Sequence, residues 1–339
     1  MKIKIIASII ISIFVLIFAI TLGSVHIPFA DILHIITHIL FGADLPEHIR
    51  PASVAIVANA RLPRVALAFL AGAALSASGA VMQSVLRNPL ASSYTLGVSS
   101  GASFGAALVI FFGISLPFLP MMTLPALGFI FGLGTIILAI FVARRLDNQL
   151  QNHTIILTGM IFALFINAVI TLLFALFREN IQQMIFWQMG SFSGRHWDTV
   201  LILAPLTLAG IVFISRFRWE LDVLTFGEEQ AQAVGIASKR VKWTLLVTSA
   251  AITGSTIAFV GIIGFVDLVV PHIVRKIFGA SHKYVIPMSA VIGGAFMVLC
   301  DLVARTIIAP IELPVGAITA IIGAPFFGYI YFSRRKGGV

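Results

Sequence analysis

An uncharged apolar run, IILTGMIFALFINAVITLLFALF, extends from Ile155 to Phe177 and sets the class of the fold. Its residues lack the alternation of apolar and polar side chains that is typical of a transmembrane β-strand. About 20 consecutive apolar residues are enough for an α-helix to cross the hydrocarbon core of a membrane. The run therefore predicts a membrane-spanning helix.

The composition of the whole chain extends this interpretation to the other segments. Of 339 residues, 59% are hydrophobic and only 10% are charged, with a mean hydropathy of +1.07, whereas a soluble domain carries about 25% charged residues. We predict an all-α polytopic membrane protein in which residues 1–339 form a single transmembrane domain, with ten transmembrane helices in one compact bundle. The predicted spans, the first of them an uncleaved N-terminal segment, are 5–23, 65–84, 94–113, 119–142, 154–177, 198–215, 243–262, 264–278, 285–304 and 315–332.

The distribution of positive charge gives these spans a direction. If the N terminus is cytoplasmic, the cytoplasmic segments hold 16 of the 22 Lys and Arg residues, which is the excess that the positive-inside rule expects. Both termini are therefore predicted to be cytoplasmic, and the net charge of +9 indicates this topology rather than a nucleic-acid partner. The basic residues left on the outer side are all arginines: Arg50, Arg61, Arg64, Arg178, Arg195 and Arg305.

Small residues at helical spacing predict that the spans pack closely. Glycine and serine three or four positions apart form a groove that lets the backbones of two membrane helices approach each other. Such stripes predict one compact bundle, and they do not by themselves indicate a substrate. The stripes are Gly72, Ser76 and Gly79; Gly97, Gly101 and Gly105; and Gly128 and Gly132.

Sequence motifs for ATP hydrolysis or metal catalysis are missing. The phosphate-binding loop of an ATPase requires a glycine followed by lysine, and no glycine in this chain is followed by lysine. There is also no HExxH motif. His34 and His38 lie four residues apart in an external amphipathic stretch, 26–41. This spacing would allow both side chains to bind one metal ion, but it is also typical of the water-facing side of an interfacial helix. We therefore predict a transport protein rather than an enzyme, and we assign no metal site.

Two aspartates, Asp267 and Asp301, lie at or near membrane depth, where an ionisable residue indicates a functional site by default. Together they suggest an alternative function, a proton-coupled secondary transporter. Asp301 stands four residues before Arg305, so a local ion pair is a simpler explanation of this residue. Asp267 has no basic residue beside it, and its role stays open.

The longest predicted cytoplasmic loop, residues 220–242, contains a short helix. Gly227 precedes Glu228 and Glu229, whose charges suit the positive N-terminal end of a helix, and Gly235 suits a left-handed C-terminal cap. Ala231 lies between these ends. An isolated helix of about two turns is marginal in water, so it must pack against the bundle or against a partner protein on the cytoplasmic face.

Motifs over residues 61–332 closely resemble the FecCD-type permeases, the family that imports iron-siderophores, haem and cobalamin through ATP-binding-cassette (ABC) transporters. Two residues, Ile262 and Asp267, depart from the pattern, because the family usually has proline and glycine there. The matching motifs are Arg61-Leu-Pro-Arg64, Arg87-Asn-Pro-Leu-Ala91, Leu96-Gly-Val-Ser-Ser-Gly-Ala102, Gly227-Glu-Glu, Pro271-His272, Asp301-Leu-Val-Ala-Arg305, Glu312-Leu-Pro-Val-Gly316 and Gly323-Ala-Pro-Phe-Phe327.

The resemblance implies a permease subunit of the bacterial cytoplasmic membrane that pairs with a second copy or a homologue. Two ABC ATPase subunits would dock below it and bind ATP and magnesium, so that this chain itself holds no cofactor. The family's coupling helix maps onto the loop 220–242. The residues expected to contact the ATPase are Gly227, Glu228, Glu229, Ala231 and Gly235.

The resemblance also implies an extracytoplasmic solute-binding protein, which would dock its acidic residues on Arg61, Arg64 and Arg305. Arginine suits this role because its planar guanidinium binds a carboxylate through two hydrogen bonds; anchoring to lipid headgroups is the alternative. Asn167, Thr171 and Asp267 are the candidate residues of the translocation pathway. Among the family's substrates we rank an iron-siderophore first, haem second and cobalamin third.

Overall fold

The computed structural model describes residues 1–23, 25 and 27–336, so that Ser24, residues 337–339 and His26 of the amphipathic stretch 26–41 lie outside the described residues. Within these ranges the secondary structure is helical, with no β-strand. The α-helices, labelled in chain order, are α1 Lys2–Thr21, α2 Phe29–Phe41, α3 Pro51–Ile56, α4 Leu62–Val85, α5 Val98–Phe112, α6 Thr123–Leu146, α7 Asn152–Leu176, α8 Ile181–Met189, α9 Trp197–Ser215, α10 Arg218–Leu224, α11 Glu228–Ala233, α12 Ser238–Val260, α13 Val266–Phe278, α14 His282–Thr306 and α15 Val315–Lys336.

Seven helical segments of the described chain are long and apolar enough to cross a membrane. The other three predicted spans fall on shorter helices, namely α5, α13 and the apolar part of α15, residues 315–328. Each predicted span thus contains a helix, while the total of ten crossings stays a prediction. The seven segments are Lys2–Thr21, Pro51–Val85, Pro120–Leu146, Asn152–Leu176, Trp197–Ser215, Ser238–Val260 and His282–Thr306.

Helix α4 forms the centre of the bundle, and most of its residues are buried. It packs against α14 and α13 through the predicted small-residue stripe. A Cβ added to Gly72 would overlap the carbonyl oxygen of Gly293 in α14, and one added to Gly79 would overlap the backbone of Asp267 in α13. The stripe therefore has the packing role that the sequence predicts.

The second predicted stripe joins α5 to α6 in the same way. A Cβ on Gly101 would overlap the side chain of Thr135 and the carbonyl oxygen of Phe131, and one on Gly105 would overlap the carbonyl oxygen of Leu127. Because side chains are absent there, the two backbones lie in direct contact.

The bundle has two ends, which we call the α11 end and the Arg64 end. At the α11 end, the Nζ atom of Lys4 near the start of α1 donates to the carbonyl oxygen of Ile277, at the end of α13. At the Arg64 end, the loop between α14 and α15 carries Glu312 to within 2.7 Å of Arg64 in the first turn of α4. The predicted coupling loop and the predicted docking arginines thus lie at opposite ends.

Candidate functional site

The predicted short helix of the 220–242 loop is present as α11, residues Glu228–Ala233. Gly227 precedes it with a φ of 138°, and Gly235 follows it with a φ of 85°, so both glycines hold backbone conformations that side chains disfavour. The amide of Gly235 donates to the carbonyl oxygen of Gln232, and the amide of Ile236 to that of Ala231. These bonds close the helix at its C-terminal end, as the sequence predicts.

The inner side of α11 packs on the bundle itself. Ala231 is fully buried in a small apolar cluster with Leu224 and Ile236. The carboxylate of Glu228 lies 2.7 Å from the Nζ atom of Lys242, which is buried and also donates to the carbonyl oxygen of Leu150. Of the two alternatives that the sequence left open, the bundle thus supplies packing for the short helix on its inner side.

The outer side of α11 is open and partly apolar. Phe226, just before the helix, is 76% exposed, and Val234, just after it, is 57% exposed. Glu229 between them is also exposed. Two large apolar side chains beside a carboxylate form a surface of the kind that a protein partner covers. We call Phe226, Glu229 and Val234 the outer face of α11.

A partly buried polar network, which sequence analysis did not predict, ties the segment before α11 to the bundle. Asp222 in α10 accepts hydrogen bonds from the backbone amide of His282 at 2.8 Å and from the Nδ1 atom of its ring at 2.6 Å. The Nε2 atom of the same ring lies 2.6 Å from the hydroxyl of Ser84 in α4. The His282 side chain is 1% exposed and that of Asp222 is 35% exposed, so these hydrogen bonds lead from the surface into the bundle.

The network continues from α4 into α13. Arg275 donates to the hydroxyl of Ser84, to the carbonyl oxygen of Ala80 and to the side chain of Gln83. The amide group of Gln83 in turn donates to the carbonyl oxygen of Asp267. This Asp222 network, composed of Asp222, His282, Ser84, Arg275 and Gln83, therefore connects α10 to three helices of the bundle. In the sequence, the only sign of this network was that its polar residues lie near the ends of predicted spans without an evident hydrogen-bond partner nearby in the chain.

At the Arg64 end, the first predicted docking residue is held by two carboxylates. The guanidinium of Arg64 donates to both oxygens of Asp301, at 2.9 to 3.1 Å, and to Glu312 at 2.7 Å. The expected pair of Asp301 with Arg305 is present at 3.6 Å, but Arg64 is the closer partner. Burial raises the pKa of Glu312, yet the hydrogen bond and charge of Arg64 outweigh it and hold that pKa below its usual value.

The other two predicted docking arginines are buried and bind backbone oxygens. Arg61 donates to the carbonyl oxygens of Ile20 and Thr21 at 2.8 and 2.9 Å, and Arg305 donates to that of Ala19. Arg61 lies in a π-helical turn, Val57–Arg61, which joins α3 to α4. Together with Glu312, all three arginines line one cavity of about 290 Å³, so the structure brings these predicted site residues together.

The three pathway candidates lie on different surfaces. Asn167 and Thr171 are exposed on one face of α7, where the Thr171 hydroxyl donates to the carbonyl oxygen of Asn167. Asp267 is 2% exposed at the start of α13, and no side chain of the described residues is hydrogen bonded to its carboxylate. The structure thus groups Asn167 with Thr171 and leaves Asp267 in a separate, buried position.

The histidines at positions 34 and 38 do not complete a metal site in the described part of the chain. No group of three His, Cys, Asp or Glu residues there is arranged to hold a metal ion. The Nδ1 atom of His38 instead lies 2.6 Å from the carbonyl oxygen of Ala43, beyond the end of α2. This hydrogen bond gives His38 a structural role at the C-terminal end of α2.

Comparison with known proteins assigns the fold to a family. The profile of the FecCD transport family matches residues 10–333. The chain belongs to this family. It is 42% identical to the ABC transporter permease protein YvrB of Bacillus subtilis, over 95% of this chain and 91% of that protein. It is 34% identical to the molybdate import permease MolB of Haemophilus influenzae, over 90% and 89% of the two chains.

The three-dimensional comparison agrees with the family assignment. A solved structure described as an inward-facing metal-chelate type ABC transporter matches with a TM-score of 0.84 and 28% sequence identity, covering 98% of this chain and all of that one. FecCD relatives at 35 to 36% identity are named as Fe(3+)-citrate, cobalamin and hemin import permeases. These relatives are transport subunits rather than enzymes, and the apolar helices place the present chain in a membrane.

Proposed function

We propose that the chain is the permease subunit of an ABC importer that moves a metal chelate into the cytoplasm, driven by partner ATPases. The observation that carries this proposal is α11, a short helix with a buried inner side and an exposed outer face at one end of an apolar bundle. A helix of this kind can transmit the movement of a bound ATPase to the helices behind it.

The Asp222 network extends the proposal to a path for this movement. Lys242 and the apolar cluster hold α11, and Asp222 holds the preceding helix α10 to α14 and α4. Because hydrogen bonds of His282, Ser84 and Arg275 join these helices, and His282 and Ser84 are buried, a shift of α10 would move α4, α13 and α14 with it. We therefore infer that α10 and α11 move the bundle as one unit.

The same proposal fixes the orientation and the partners. Ten spans with both termini in the cytoplasm would place α11 on the cytoplasmic side of a bacterial cytoplasmic membrane. Two copies of this chain, or one copy and a homologue, would form the path, with two ATPase subunits below them. ATP and magnesium would be bound by the ATPases and no cofactor by this chain.

A solute-binding protein would dock at the Arg64 end. The cavity lined by Arg61, Arg64 and Arg305 is wide enough to admit a carboxylate side chain, and guanidinium groups are suited to bind it. Glu312, which also lines this cavity, already accepts a hydrogen bond from Arg64. Docking would therefore exchange one carboxylate partner for another rather than fill an unpaired site.

The exposed position of Asn167 and Thr171 supports a pathway between two subunits, because the outward face of α7 is where a second copy would have to complete it. The family relatives support an iron chelate, ranked as siderophore, then haem, then cobalamin. A molybdate permease among the relatives adds an oxyanion to the substrates that must be tested.

The alternative, proton-coupled transport, requires Asp267 and Asp301 to exchange protons. Both oxygens of Asp301 accept hydrogen bonds from the Arg64 side chain, so this carboxylate already has an ion-pair partner within the chain. Asp267 alone retains the features of a proton site, since it is buried without a side-chain partner among the described residues. An ABC importer accounts for more of the structure.

The test is uptake by the reconstituted transporter with its ATPase and binding protein. Iron-siderophore, haem, cobalamin and molybdate would be offered in proteoliposomes with and without internal ATP. We expect ATP-dependent uptake of one of them, and no effect of dissipating the proton gradient. Uptake that continues without ATPase but is abolished by Asp267→Asn would instead establish the proton-coupled function.

A further inference from the structure

A positively charged cavity of about 590 Å³ opens at the α11 end, between the end of α6 and the start of α12. We call it the basic pocket. The function proposed above does not use it. Its lining residues are Arg144, Asn148, Leu150, Lys239, Arg240 and Trp243.

The charge of the basic pocket is not compensated by the described residues that line it, since three of them are cations and none is an acid. Two acids that lie close to these residues in sequence have other partners. Asp147 accepts hydrogen bonds from the backbone amides of Gln149 and Gln151, both at 2.8 Å. Glu228 is paired with Lys242. The pocket is therefore suited to an anion from outside the chain.

The donors in the pocket suit a phosphate group. Arg144 and Arg240 are exposed, so that each can present two N–H groups to phosphate oxygens. The Nζ atom of Lys239 spends one hydrogen on the carbonyl oxygen of Asn148, at 2.8 Å, which fixes its position and leaves two further hydrogens to donate. This arrangement recognises charge and oxygen atoms rather than a particular shape.

The surface beside the pocket favours a lipid as the source of that phosphate. Ile137 and Phe141 stand seven and three residues before Arg144 on α6, which places all three on one side of the helix. Ile137 is 41% exposed, Phe141 55% and Trp243 47%. An exposed apolar helix face that ends in a cation and a tryptophan is typical of the boundary between acyl chains and headgroups.

We propose that the basic pocket binds the headgroup phosphate of an anionic phospholipid, with its acyl chains on the exposed face of α6. Basic pockets between transmembrane helices bind such headgroups in other membrane proteins. Lys239 and Arg240 also line a smaller cavity that Gln232 of α11 borders, so the bound lipid would lie beside the coupling helix. The leaflet involved follows from the proposed function, whereas binding itself does not depend on it.

The test compares phosphatidylglycerol with phosphatidylcholine, using the assembled transporter in lipid nanodiscs. The variant Arg144→Gln with Arg240→Gln removes two exposed cations from the pocket. Arg216→Gln is the matched control, because Arg216 is an exposed arginine at the end of α9 that does not line the pocket. Native mass spectrometry measures the number of phosphatidylglycerol molecules retained, and a lipid titration measures the apparent affinity.

We expect the double variant to bind phosphatidylglycerol at least tenfold more weakly and the control to bind it as the wild type does. Equal losses in both variants would overturn the proposal. Inorganic phosphate serves as a separate ligand in detergent; if it competes at the same concentration as phosphatidylglycerol, the site is one for free phosphate. If the double variant loses the ATPase but keeps its lipid, the pocket is a protein interface.

Two further arrangements keep the outcome interpretable. Lys239→Gln alone provides a second variant if the double variant folds poorly, and we expect it to weaken lipid binding about threefold or more. Lipid binding is measured without ATP, so a failure of the lipid proposal leaves ATP-dependent uptake intact, and a failure of the proposed function leaves lipid retention intact.

Discussion

The Nδ1 atom of His282 lies 2.6 Å from the Oδ1 atom of Asp222, and this contact fastens α10 to the first turn of α14. The backbone amide of His282 donates to the same oxygen. Two bonds to one carboxylate oxygen fix α10 at the point where the chain enters α11. The contact therefore lies where force from a partner on α11 would enter the bundle.

The variant Asp222→Asn should separate ATP hydrolysis from transport. Asparagine preserves the size of the side chain but removes the negative charge that strengthens the hydrogen bonds from His282, so α10 is held less firmly. We expect uptake to fall at least tenfold, while the ATPase still binds and hydrolyses ATP. The ratio of substrate transported to ATP hydrolysed measures this. Lys283→Gln, at an exposed neighbouring position, is the control and should leave the ratio unchanged; equal losses of both activities in Asp222→Asn would contradict the role.

The ion pair of Arg64 and Asp301 should contribute to stability. The side chains are 13% and 2% exposed, and removing one member of a buried pair costs about 3–5 kcal/mol. Asp301→Asn should therefore lower the thermal unfolding temperature in detergent, whereas the exposed Asp44→Asn should not. Asp301→Leu combined with Arg64→Met should recover part of the loss. A single variant as stable as the wild type would refute the assignment.

Glu312 should make the stability of the folded chain depend on pH. Because Arg64 holds the pKa of Glu312 below its usual value of 4.5, the folded state favours the charged form. The resulting stability is fully present above that usual value and is lost as the pH falls through the lowered pKa. The difference in unfolding temperature between wild type and Glu312→Gln should accordingly shrink on acidification. A difference that is constant with pH would contradict this, and Glu47→Gln is the control outside the pair.

Close packing of α4 on α14 should make Gly72 intolerant of any side chain. The variant Gly72→Ala would force its Cβ into the carbonyl oxygen of Gly293, whereas Gly134 in α6 has open space around it. We expect Gly72→Ala to unfold at a clearly lower temperature and Gly134→Ala to be neutral or stabilised by up to about 1 kcal/mol. Equal stabilities of the two variants would show that the helices are not in contact there.

The sequence predicted those parts of the structure that depend on local patterns. Long apolar runs located most of the spans, because about 20 consecutive apolar residues are enough for a helix to cross a membrane, although α5 and α13 are shorter than this. Gly227 and Gly235 located the ends of α11, since their positive φ angles and the intervening helix formers are local properties. The glycine stripe of α4 predicted close packing, although not its partner helices.

Contacts between distant residues could not be predicted in this way. Arg64 is 237 residues from Asp301, and Ser84 is 198 residues from His282. No periodicity relates such positions, so Arg64 was predicted as a docking residue without its internal carboxylate partners. The π-helical turn at Arg61 was missed for a different reason, because its sequence, VANAR, also suits an α-helix. Polar side chains at the ends of the spans need hydrogen-bond partners, and this requirement could have indicated that such contacts exist.

Cross-linking from α11 tests the central claim most directly. Glu229→Cys introduces a thiol on the outer face of α11, Asp44→Cys introduces one on the exposed loop after α2, and the native Cys300 is buried. Each variant would be assembled with its ATPase and binding protein and treated with a short thiol-to-amine cross-linker. We predict that the Glu229→Cys variant captures the ATPase, with a yield that changes when ATP is added, and that the Asp44→Cys variant does not. Capture of the ATPase by the Asp44→Cys variant alone would contradict the account.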